Sequence, residues 1–157
     1  MKAIIILIFS FGLNSFSQTD NTINCSVRDS VTKYATGFIG TPYLYGGGSK
    51  KGFDCSGLVH HVYTHFNYSV PRTSRGFGDV GIEIEKSEAS PGDIIIFSGT
   101  KSKKEIGHVG IIHSIDEDEI VFIHSSSSKK HNGVILSNLE TTGYKERFIK
   151  IIRIIKC

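Results

Sequence analysis

After the turn signal Ser90-Pro91-Gly92-Asp93, the chain is written as short β-branched runs separated by polar turns. The runs are Asp93 to Phe97, His108 to Ile115, Ile120 to Ser125, Val134 to Leu136 and Phe148 to Ile154. Lys101 to Glu105 and Ser125 to Lys130 are polar loops between them. The part before the turn has a different period. Arg28 to Ile39 carries Val31, Tyr34, Ala35, Phe38 and Ile39 at helical spacing, and Gly40-Thr41-Pro42 stops it. Asp54 to Phe66 reads as a second helix, with Leu58, Val62 and Phe66 in one row and Val59 and Tyr63 in the next. Tyr43 to Gly52 is a glycine-rich loop, Val70 to Ser74 is another, and a weak strand follows near Ile82 to Ile84. Two helices followed by adjacent strands predict an α+β domain, with N-terminal helices packed on an antiparallel sheet.

Composition narrows the class. Of 157 residues 39% are hydrophobic and 21% charged, with a net charge of +3. These values exclude a disordered chain and a strongly basic nucleic-acid-binding arm. No repeat, heptad or interior linker divides the chain, so one domain is expected.

The first residues, MKAIIILIFSFGLNSFSQ, have the layout of a secretory signal peptide. Lys2 precedes an apolar run from Ala3 to Leu13, which is shorter than the roughly 20 residues a membrane span needs. Ser15-Phe16-Ser17 is a small-x-small cleavage site. The expected organisation is a signal peptide over 1–17, a polar lead over 18–27 and one domain over 28–157. The mature protein is expected outside the cytoplasm, periplasmic or extracellular, with no membrane contact after cleavage. In that compartment Cys25 and Cys157 are candidates to bridge the chain ends. Cys55 is left as the working thiol.

Cys55 stands in Phe53-Asp54-Cys55-Ser56-Gly57-Leu58, where the glycine-rich loop gives way to the second helix. A thiol at a helix N-terminus meets the positive end of the dipole and unpaired N–H groups. Both favour thiolate, and the same N–H groups suit an oxyanion. A cysteine nucleophile needs a base. His61 and His65 lie i,i+4 on the helix but off its apolar row and without H-E-x-x-H, so a solvent-facing position is expected. His60 and His131 have no motif context. His108 opens one strand and His124 closes the next. With Asp116-Glu117-Asp118 as a three-residue loop, Gly110 stands opposite His124 and Ser126 opposite His108. The two histidines then share a face as diagonal neighbours, with His113 on the other face. A two-residue loop would separate them. If they share a face, His108 is the base and His124 the residue that orients it.

These residues resemble the NlpC-type bacterial cell-wall cysteine peptidases. The resemblance rests on Gly40-Thr41-Pro42-Tyr43-x-Tyr45-Gly46-Gly47, the segment around Cys55, Pro71-Arg72-Thr73-Ser74, Pro91-Gly92-Asp93, Gly107-His108-Val109-Gly110-Ile111 and Ile123-His124-Ser125-Ser126. It implies a papain-like α+β fold and hydrolysis of peptidoglycan stem peptides, most often between D-glutamate and the diamino acid. By match, Cys55 is the nucleophile, His108 the base and His124 the third polar residue. Tyr43 supports the site near the oxyanion. Asp54 and Ser56 match positions that, in one branch of the family, hold the free amine of the stem's first alanine, and Arg72 and Ser74 match the loop lining the groove. Tyr45 departs from a common tryptophan, and no wall-binding repeat is present. No metal or cofactor is implied, and a monomer is expected.

Alternatives remain at this stage: an amidase or acyltransferase on the same scaffold, or a catalytically silent wall-binding module. Zinc held by Cys55, His108 and His124 lacks a compact signature. The glycine-rich loop lacks the Gly-Lys-Ser/Thr of a phosphate loop. Lysines at 50–51, 101–104 and 129–130 serve solubility or attraction to carboxylate-rich polymers.

Overall fold

The computed structural model describes residues 16–117, 119–140 and 143–156. The signal segment before Phe16 and the side chains of the Cys25–Cys157 pair lie outside the described residues.

Helix α1 spans Phe16–Thr36. It therefore includes residues 18–27, where a loose lead was expected. Those residues are mostly polar and carry no apolar period, so nothing in the pattern there signals a helix. The periodic part behaves as expected: Val31 and Ala35 are fully buried. The helix ends before Gly37, earlier than expected, and Phe38 and Ile39 lie in tight turns bonded back to Ala35 and Thr36. Helix α2 spans Cys55–His65 and buries Leu58, Val59, Val62 and Tyr63. Asp54 caps it in an extended conformation, its Oδ1 accepting from the Gly57 N–H at 2.6 Å. Between the helices, β1 (Gly48–Ser49) and β2 (Gly52–Phe53) form a small hairpin that the sequence did not signal.

Six strands form an antiparallel sheet: β3 (Ile82–Ile84), β4 (Ile94–Ser98), β5 (Ile106–Asp116), β6 (Glu119–Ser127), β7 (Asn132–Asn138) and β8 (Phe148–Arg153), in the order β3-β8-β4-β5-β6-β7. Every residue of β4 is buried because it lies inside the sheet with both faces covered. Ile94 and Ile96 join Val31, Leu58, Val62 and Val109 in the core under the helices. Ile95 and Phe97 join Ile112, Phe122, Leu139 and Ile151 in a second core on the other side.

The turn before β4 is locked by charge. Asp93 is fully buried. Its Oδ1 accepts from Arg28 at 3.1 Å and from Arg153 Nε at 2.9 Å, and its Oδ2 accepts from Arg153 Nη2 at 2.8 Å. Tyr63 donates to the Gly92 carbonyl. Gly92 has φ +85°, and a Cβ there would meet the Arg28 backbone at 3.2 Å. Pro91-Gly92-Asp93 thus ties α1, α2 and β8 to the start of the central strand.

Candidate active site

The β5–β6 hairpin decides where the histidines fall. Near its tip the register is Asp116↔Glu119, Ile115↔Ile120 and Ser114↔Val121, so the loop has two residues, not the expected three. By itself that register would put His108 and His124 on opposite faces. A bulge at His113 then inserts one extra residue in β5, and the pairing beyond it becomes Ile112↔Phe122 and Ile111↔Ile123. This is the register expected for the catalytic end, reached by a different route. Gly110 leaves room for the result: a Cβ there would lie 3.3 Å from the His124 Cβ and 2.8 Å from the Phe122 ring.

His108 Nε2 lies 2.9 Å from His124 Nδ1, with the rings at 84°. His124 is fully buried, and its Nε2 lies 3.0 Å from Ser137 Oγ and 3.4 Å from the Tyr144 hydroxyl. Ser137 and Tyr144 were not singled out from sequence. Ser137 is one of many serines near strands, and Tyr144 follows no motif.

Cys55 is the first residue of α2 and is free. Burial pushes its thiol above the ordinary 9.0, and the Asp54 charge adds to this. Backbone N–H groups of Val109, Ser56 and Cys55 itself pull the other way without prevailing. The helix start was expected to favour thiolate; desolvation outweighs it here. Burial likewise holds His108 well below 6.5, helped by the neighbouring His124 and Arg147. Burial and Arg147 bring His124 to about 3. At neutral pH the site therefore holds a neutral thiol and neutral imidazoles. Alkylation of Cys55 by iodoacetamide is expected to rise steadily with pH as thiolate appears above the ordinary thiol range. A fast plateau between about pH 5 and 7, the mark of a thiolate–imidazolium pair, would contradict this.

Cys55 opens into a groove of about 470 Å³ that also brings together Tyr43, Tyr45, Asp54, Ser56, Arg72 and Ser74. The Tyr43 phenol is pushed up by burial and by the nearby Cys55 and Asp54. Tyr45 is 90% exposed at the rim. Asp54 and Arg72 are paired rather than separate: Arg72 reaches Asp54 Oδ1 at 2.9 Å and Oδ2 at 3.1 Å. Arg72 also donates to the carbonyls of Gly46 and Gly47 at 2.7 and 2.9 Å. Ser56 donates to Asp54 Oδ1 at 3.2 Å. The Asp54 carboxylate is therefore already engaged by a cap, a hydroxyl and a guanidinium. Ser74 begins the 3₁₀ turn Ser74–Asp79 beside it.

Of the pair expected to face solvent, His65 does and His61 does not. His61 is half-buried, 5.2 Å from the Phe38 and Phe53 rings, and the exposed His65 stacks on Tyr34 at 4.0 Å. Tyr34 and Phe38 from the α1 end cover that side of α2. Among the described residues, no cluster of three or more His, Cys, Asp or Glu is arranged to hold a metal ion.

Known proteins are similar to this chain in sequence and in fold. The sequence profile described as NlpC/P60 family matches residues 40–153. The probable endopeptidase NlpC of Escherichia coli (strain K12) is 35% identical over 138 residues, 83% of this chain and 84% of the relative. The gamma-D-glutamyl-L-lysine dipeptidyl-peptidase of Bacillus cereus (strain ATCC 10987 / NRS 248) is 30% identical over 85% of this chain. The chain spans only 38% of that longer relative. The crystal structure of an NlpC/P60 family protein from Bacillus cereus ATCC 10987 superposes with a TM-score of 0.72 at 30% identity, covering 82% of this chain and 40% of that one.

Proposed function

Because the chain belongs to the NlpC/P60 family, we propose that it is a cysteine peptidase that hydrolyses peptidoglycan stem peptides at the bond between D-glutamate and the diamino acid. The observation that carries this reading is the hydrogen-bonded series His108–His124–Ser137 together with a cysteine at a helix start whose sulfur meets the N–H of Val109, the residue after His108. The name of the Bacillus cereus relative supports the choice of bond.

The chemistry follows from the neutral site. In the productive tautomer, His108 Nε2–H donates to His124 Nδ1, and His124 Nε2–H donates to Ser137 Oγ. This leaves the His108 Nδ1 lone pair for the Cys55 proton. As sulfur attacks the scissile carbonyl, that proton moves to His108. N–H groups at the α2 start, with Tyr43 nearby, receive the developing oxyanion. Collapse breaks the C–N bond, and His108 returns the proton to the leaving amine. Water then attacks the thioester with His108 as base, releasing the carboxylate and the free thiol. Buried and held near pKa 3, His124 stays neutral throughout, so it accepts from His108 whether or not His108 is charged.

Asp54 takes a positioning role here. With Arg72 and Ser56 it fixes the Gly46–Gly47 loop to the helix start, and Ser74 is left to meet the substrate. Stems with a free or a blocked alanine amine separate this from amine recognition by Asp54. Mass spectrometry of products from purified sacculi and synthetic stems is expected to find new termini at D-glutamate, with equal cleavage of blocked and free stems. Release of whole stems from glycan would indicate an amidase instead. Strict dependence on the free amine would return Asp54 to an amine-binding role.

A further inference from the structure

The groove continues beyond the thiol. Past Gly107, which borders both spaces, lies a depression of about 360 Å³ whose walls include His108, Ser126, Ser127, Tyr144 and Arg147. Among the described residues that line it, Arg147 is the one with a fixed charge. It is held in place: Nη1 donates to the Ser98 carbonyl at 3.3 Å, Nε donates to the Gly143 carbonyl at 3.2 Å, and the guanidinium lies 4.8 Å from the Tyr144 ring centre.

The other arginines all have carboxylate partners. Arg28 and Arg153 pair with Asp93, Arg72 with Asp54, and Arg75 with Glu105. Among the described residues none pairs with Arg147. A fixed, half-buried guanidinium with serine hydroxyls beside it fits a carboxylate.

The position says which part of the substrate would bring one. His108 hands its proton to the leaving amine, so the leaving residue lies on its side of the sulfur. That leaves the groove lined by Tyr43 and Ser74 for the acyl half. Resting on the peptidase reading above, we propose that Arg147, with Ser126 and Ser127, binds a side-chain carboxylate on the leaving diamino acid, so that the enzyme favours diaminopimelate over lysine at that place. The charge of Arg147 also opposes protonation of His108 and His124. A bound carboxylate offsets that and eases the first proton transfer.

The test is kcat/KM on two synthetic stems, one with meso-diaminopimelate and one with lysine. Both are amidated at the α-carboxyl so that only the side-chain carboxylate differs. A charge-assisted hydrogen bond predicts a preference of at least about 10-fold for diaminopimelate. Arg147→Gln is expected to bring the ratio close to one, and Arg147→Lys, which keeps the charge, to restore part of it. A wild-type ratio near one, or a ratio unchanged in Arg147→Gln, overturns the proposal while leaving the peptidase reading intact. Cleavage of neither stem overturns that reading and this proposal with it.

Discussion

Replacing Cys55 with alanine is expected to lower kcat on stem peptides by at least about 10⁴-fold. The thiol is the nucleophile that attacks the scissile bond in the proposed reaction, and the groups that remain (the helix N–H donors, His108 and the groove) can bind substrate without bonding to it covalently. The substitution removes one sulfur from a half-buried position at the first turn of α2. It keeps the Asp54 cap and the Arg72 pair, so the stability change should stay below about 1 kcal/mol. Thermal unfolding followed beside the rate separates the two effects. An unchanged melting temperature with activity lost supports a chemical role for the thiol; activity within 10-fold of wild type removes Cys55 from the mechanism.

Asp93→Ala is expected to have the largest effect on stability, with no direct effect on chemistry. Removing the carboxylate takes away the acceptor that Arg28 and Arg153 share, and strips the Ser90 N–H of its acceptor. Arg153 is 21% exposed and can turn toward water, but Arg28 is only 7% exposed and is held among α1 and the turn. Breaking a buried pair of this kind costs about 3–5 kcal/mol. For a chain of this size that lowers the melting temperature on the order of 10 °C. Asp93→Asn retains acceptors for one arginine and should cost less. A loss below about 1 kcal/mol in the alanine variant would mean that the cluster is not what holds α1 to the sheet.

The sequence carried more of the fold than of the site's electrostatics. Strand positions were legible because β-branched runs alternate with polar turns, and Ile82–Ile84 was found although short. The same-face relation of His108 and His124 was also legible, but its cause was not. A two-residue turn and a bulge at His113 cancel each other, and no local residue pattern marks a bulge whose extra residue is an ordinary histidine. The start of α1 was missed because residues 18–27 have no apolar period. His61 was misread because the rings beside it come from Tyr34 and Phe38, distant in sequence.

Charge states were the least legible feature. A helix N-terminus argues for thiolate, yet the thiol is raised because burial, which a sequence does not display, is the larger influence. Asp54 and Arg72 each appeared as a groove residue; only the folded loop shows that they satisfy each other. Ser137 and Arg147 reach the site from β7 and from the 3₁₀ turn before β8, far from any motif that identified the family.

The central claim is that hydrolysis passes through an acyl group carried on Cys55. Rapid-quench mass spectrometry of the enzyme during turnover of a stem peptide tests it most directly. The expected result is a transient adduct, mapped to the peptide that contains Cys55, with the mass of the alanyl-D-glutamyl acyl group and absent from Cys55→Ala. Product formation at full rate with Cys55 alkylated and no adduct on the chain would contradict it.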